Sequence, residues 1–98
     1  MTVQDFEITL AEKAPPRGLP LLLTALWWDA KGEWSKAHEC AQQQETQEHA
    51  WVHAYLHRKE GDLDNARYWY GRAGKSPCAA SFDEEWQRIV EALLNLEA

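Results

Sequence analysis

Apolar residues recur at helical spacing along most of this 98-residue chain, interrupted by short runs of proline, glycine and polar residues. Val3, Phe6 and Leu10 share one helical stripe, while Phe6, Ile8 and Leu10 also fit strand alternation. Helix is preferred for segment 1–13, because no other part of the chain offers a partner strand. Residues 14–19, Ala-Pro-Pro-Arg-Gly-Leu, form a linker, since two prolines lack donors and a glycine loosens the backbone. Pro20 suits the first position of the next helix. That helix, Pro20 to Lys31, carries Leu21, Leu22, Leu23, Ala25, Leu26, Trp27 and Trp28 and is apolar almost all round, so it is buried on several sides or belongs to an interface. Gly32 ends it, and a further helix is predicted from Glu33 to Gln44.

The polar run from Gln42 to Glu48 contains Thr46, a suitable N-cap for a helix from Gln47 to Lys59 that stops at Gly61. Asp62 caps a helix reaching Ala73, which Gly74, Ser76 and Pro77 terminate. Ser81-Phe82-Asp83-Glu84 reads as a capping box opening the last helix, Phe82 to Glu97. Its apolar stripe is Phe82, Trp86, Ile89, Val90, Leu93 and Leu94. The pattern predicts one all-α domain: an N-terminal segment 1–13, the linker 14–19, helix-turn-helix units over 20–44 and 45–77, and a capping helix over 81–98.

The chain also matches itself at an offset of 29 residues. Ala25 falls on Ala54, Gly32 on Gly61, Trp34 on Leu63 and Ala37 on Ala66. The glycines permit reversal at a helix end, the alanines permit close approach of two antiparallel helices, and the residue after the acid plugs the turn. Ala54, Gly61-Asp62-Leu63, Ala66, Tyr70, Ala73 and Pro77 resemble the tetratricopeptide-repeat pattern. The run Ala66 to Gly74 is similar to the second helix of the related Sel1-like repeats. The resemblance covers Leu19 to Pro77, with an offset shorter than the usual ~34 residues, the early aromatic displaced to Trp51, and two units in place of the usual ~3 or more. It implies a right-handed stack of two hairpins, closed by the last helix, that binds a peptide or protein segment along a concave face. On the family's concave positions that groove comprises Leu22, Leu26, Asp29, Trp51, Tyr55, Arg58 and Lys59, with the two cations attracting an acidic segment or a chain-terminal carboxylate.

Charge narrows the partners. The formal net charge is −6, which disfavours nucleic acid and anionic membrane surfaces. The longest apolar stretch, Leu19 to Trp28, is broken by Thr24 and too short to span a bilayer. The first residues lack the basic and apolar regions of a signal peptide, so a cytoplasmic protein with reduced thiols is expected. Cys40 and Cys78 lie in no CxxC or CxxH pattern, and sequence leaves their pairing open.

Three sets of residues carry candidate chemistry. His49, His53 and His57 are spaced four apart and drift only about 40° per step, so they line one side of a helix and could hold zinc, copper or nickel. The competing reading is structural, with His53 and His57 at packing positions, hydrogen-bonded and partly buried. His38 and Cys40, two apart on a helix, point away from each other and form no joint site. The aromatics Trp27-Trp28 and Tyr68-Trp69-Tyr70 are contiguous; neighbours on a helix point about 100° apart, so not all can face one core. Some are expected at a surface, which points to protein partners and to a homodimer through exposed aromatics. Asp62 and Asp64 lack the glycine and closing glutamate of a calcium loop. No nucleophile elbow, phosphate loop or carboxylate pair is present, so a non-enzyme is expected and no cofactor is implied.

Overall fold

A computed structural model describes residues 1–97. The helices are α1 (Val3–Ile8), continued by a 3-10 turn at Thr9–Ala11, α2 (Leu21–Ala30), α3 (Trp34–Ala41), α4 (Gln47–Glu60), α5 (Leu63–Ala73) and α6 (Phe82–Glu97). No strand occurs among the described residues, and no helix is long and apolar enough to cross a membrane.

The N-terminal segment is helical because Thr2 and Asp5 cap it reciprocally. The Asp5 N–H donates to the Thr2 hydroxyl and the Thr2 N–H to the Asp5 carboxylate, both at 3.1 Å, a capping box that the hydrophobic pattern alone does not reveal. Phe6 is buried and meets Trp86 of α6 with ring centroids 5.8 Å apart. Pro20 stands one residue earlier than expected, in extended conformation just before α2, and its carbonyl accepts the Thr24 N–H at 2.9 Å. The third helix stops at Ala41, three residues short of the predicted Gln44.

Both predicted reversals are present and are chemically alike. Gly32 and Gly61 adopt φ of 81° and 90°. In each turn the next residue donates its N–H back five positions, Glu33 to Trp28 O and Asp62 to His57 O, each at 2.9 Å. This is the bond that closes a helix C-terminus when a left-handed residue follows it. α2 packs chiefly on α3 and α4 chiefly on α5. The four alanines singled out by the offset, Ala25, Ala37, Ala54 and Ala66, are all buried.

The turn plug forms in only one unit. The Trp34 indole N–H reaches Leu56 O of α4 at 2.8 Å, whereas Leu63 is 56% exposed. Trp34 has a following helix to reach; Leu63 does not, because α6 goes elsewhere. α6 packs chiefly on α4, α2 and α1, and reaches α5 through the Tyr70 hydroxyl, which donates to Glu85. Its Trp86, Ile89, Val90 and Leu93 join Phe6, Leu22, Leu23, Leu26, Trp27, Val52, Tyr55 and Leu56 in the main core, and the Trp86 indole donates to Leu26 O at 3.0 Å.

Two glycines of opposite character check this backbone account. A methyl group at Gly61 meets no atom within 4 Å, yet its positive φ is unfavourable for an L-residue. Gly61→Ala is therefore expected to lower stability by about 1–2 kcal/mol. Gly71 lies exposed inside α5 with equally open space, and Gly71→Ala should raise stability by roughly 0.5–1 kcal/mol. Urea unfolding of the two variants reads both signs.

Candidate functional site

The seven groove positions separate into a covered part and an open part. In the covered part, α2 and α4 meet α6. Leu26 is fully buried beneath Trp86. Asp29, also buried, accepts the Tyr55 hydroxyl at 2.7 Å and the Lys59 ammonium at 3.1 Å. Burial, followed by the Asp29 charge, holds the Tyr55 phenol far above its ordinary range, so this hydroxyl is a fixed donor. Arg58 turns to α6, donating to Glu85 at 2.9 Å and to the Ala80 carbonyl, with its guanidinium 4.6 Å from the Phe82 ring. Glu85 is 2% exposed and takes the Tyr70 hydroxyl on its other oxygen at 2.6 Å. Burial and that hydrogen bond raise the Tyr70 phenol in turn.

Arg58 and Lys59 are thus neutralised within the chain by Glu85 and Asp29. The Lys59 side chain stays 36% exposed and, with Asp29 and Tyr55, lines a cleft of about 300 Å³ beside Glu7, Leu10 and Trp86. Trp86, Ile89, Val90 and Leu93 of α6 pack on the face formed by α2 and α4.

The open part lies towards the far end of α6. A cleft of about 320 Å³ runs between Pro20, Leu21, Leu22 and Leu23 on one side and Leu93 and Leu96 on the other, with Thr46, Glu48 and His49 completing its wall. A second cleft of about 230 Å³ continues past Glu48 to Trp51, Ala73 and Lys75, sharing Leu93 and Leu96 with the first. Leu96 is 64% exposed between them, and the Lys75 ammonium stands 4.1 Å over the Trp51 ring. Of the groove residues predicted from sequence, Leu22 and Trp51 line this open surface. Leu21, Leu96 and Lys75 join them, and nothing in the hairpin pattern marks those three.

The histidine stripe divides as well. His49 stands apart: its Nδ1 lies 2.8 Å from the Thr46 hydroxyl, and its buried Nε2 has no hydrogen-bond partner. His53 and His57 instead meet His38 of α3. The Nε2 atoms of His38 and His53 are 2.8 Å apart. His57 Nδ1 lies 2.6 Å from Glu60 Oε2, and its Nε2 is 3.4 Å from the Asn65 amide nitrogen. One nitrogen of each of the three rings lies within 4.8 Å of the other two. Trp34 stacks on His38 at 4.8 Å, and Trp69 stacks on His53 at 4.0 Å, so two indoles wall the cluster.

Over two steps the drift of the stripe accumulates to about 80°, enough to turn His49 away. His38 shares a helical face with Trp34, four residues earlier, and that spacing is the signal that could have placed it here. Its separation from Cys40 holds as expected, since Cys40 packs against the main core and is free. Burial, followed by the neighbouring His38 and His57, pushes His53 down to about 4. His38 is lowered chiefly by burial, then by His57, against an opposing pull from Glu60.

The contiguous aromatics are mostly consumed internally. Trp27 and Tyr70 are core residues, Trp28 lies half-buried under Lys36 and Trp69 covers His53, which leaves Tyr68, 55% exposed, as the open member. No known protein family, curated protein or solved structure matches this chain.

Proposed function

We propose that the chain is a small helical-hairpin interaction module that receives an apolar segment of a protein partner in the cleft between α2 and the end of α6. The observation carrying this reading is the exposed Leu96 standing over Leu21, Leu22, Leu93 and Trp51, an apolar surface continuous with the core. An amphipathic helix suits it, because α6 is itself such a helix and already lies along the adjoining stretch of the same face. Lys75 at the rim favours an acidic residue or carbonyl flanking the apolar side chains. The finer architectural reading, two stacked repeats of the tetratricopeptide or Sel1-like kind, belongs to the same proposal. It is supported by the paired left-handed glycines and the buried alanines repeated at 29 residues.

Quantitative affinity capture from the native proteome tests it with the whole chain. Leu96→Asp should lower retention of the bound protein at least tenfold, whereas Leu63→Asp, at another exposed leucine on α5, should leave it unchanged. Equal capture by wild type and Leu96→Asp would place the docking surface elsewhere.

A further inference from the structure

We infer that His38, His53 and His57 form a three-imidazole site for a divalent transition-metal ion of the zinc class, clamping α3 to α4. The rings converge from two helices: His53 and His57 are one turn apart on α4, and His38 faces them from α3. Their donor atoms lie within 4.8 Å of one another, close enough for small ring movements to converge them on one ion. Metal–imidazole bonds of about 2.0–2.1 Å in tetrahedral geometry separate the nitrogens by roughly 3.3 Å. The His38–His53 pair, at 2.8 Å, is held together by a shared proton. An ion replaces that hydrogen bond by opening the pair about half an ångström, and the displaced proton moves to the outer nitrogen of its own ring, so all three imidazoles remain neutral.

The Glu60 carboxylate is what distinguishes this cluster from aromatic packing. At 2.6 Å from His57 Nδ1, it holds the proton on that nitrogen and leaves Nε2 with its lone pair. A carboxylate behind the outer nitrogen of a ligating histidine fixes the tautomer and strengthens the donor. The Asn65 amide group, 3.4 Å from Nε2, approaches that atom as a donor would, in keeping with the same tautomer. Trp34 and Trp69 hold two of the rings by stacking, which pre-orients the donors. Three nitrogen donors select zinc, copper or nickel over magnesium and calcium, which need oxygen. A second grouping, His57, Glu60 and Asp62, is exposed on its acidic side, and Asp62 already caps α5 by accepting the Asn65 N–H at 3.2 Å.

Calorimetric titration of the full-length, tag-free chain with Zn²⁺ tests the assignment. One ion per chain is expected, with affinity lowered at least 100-fold by His38→Gln and unchanged by His49→Gln or Asp62→Asn. Absence of stoichiometric binding overturns the site. So does wild-type affinity in His38→Gln, or loss in Asp62→Asn alone, which would move the ion to the carboxylates. Should His38→Gln fail to fold, the visible spectrum of the wild-type chain loaded with Co²⁺ decides: strong bands of tetrahedral nitrogen ligation support the site, and the weak bands of an octahedral ion overturn it.

Discussion

Replacing Glu85 with alanine is expected to lower the free energy of unfolding by about 3–5 kcal/mol, the range for breaking a buried ion pair from one side. Glu85 is almost wholly enclosed, and its two oxygens serve different helices: one receives Arg58 of α4 at 2.9 Å, the other Tyr70 of α5 at 2.6 Å. Alanine leaves the buried Tyr70 hydroxyl without its acceptor and the mostly buried Arg58 charge without its carboxylate. Glu85→Gln keeps an acceptor for Tyr70 and loses the charge, so its cost should be smaller. The neighbouring pair of Arg88 and Glu84, 3.8 Å apart and largely exposed, is a built-in control: removing it should change stability little. Urea unfolding followed by tryptophan fluorescence and circular dichroism gives all three values. A cost for Glu85→Ala no larger than that of the exposed pair would mean that α6 is not anchored through this carboxylate.

The second large effect is a loss of stability in mild acid. His53 has a depressed folded pKa, about 4, against an ordinary value near 6.5. Its neutral ring is favoured in the native state, so the contribution is fully present above pH 6.5 and is lost as the pH falls towards 4, where the unfolded chain binds a proton that the folded one resists. The difference is on the order of 3 kcal/mol. His38 and His49, both lowered by burial, add in the same direction. The physical origin is chiefly the burial of the ring, which strips water from the cation, followed by the nearness of His38 and His57. In chelator-treated protein, unfolding free energies measured between pH 7 and pH 4 should fall steeply, and His53→Phe, which keeps a ring against Trp69, should flatten the slope. An unchanged slope in that variant would assign the acid loss to the carboxylates.

Features dictated by local backbone chemistry were legible in the sequence. A reversing glycine must tolerate positive φ, and a close helix contact must be small; Gly32, Gly61 and the four alanines follow from those two constraints. The caps at Thr46 and Asp62 follow from the hydroxyl or carboxylate that a helix start requires. The path of α6 did not follow. Its stripe of Trp86, Ile89, Val90 and Leu93 states that one face is buried, and says nothing of which helices receive it. That single uncertainty bears on the predicted groove: Leu26 O takes the Trp86 indole and Arg58 pairs with Glu85, both on the chain's own last helix, while Asp29, Tyr55 and Lys59 line a cleft beside it. His38 was missed for a related reason, since spacing along one helix cannot show which side chain of the next helix faces it. Tyr68, Trp69 and Tyr70 point in different directions, as neighbours on a helix must: Tyr70 to the core, Trp69 to His53 and Tyr68 to solvent.

In this structure α6 lies fastened across α2 and α4. Hydrogen exchange of the Trp86 indole N–H, bonded to Leu26 O, reads this at one atom. The account predicts that this proton exchanges only with global unfolding, at the rate of the slowest α4 amides. Exchange at the rate of an exposed indole, with α4 still protected, would show that α6 stands off the face and would contradict it.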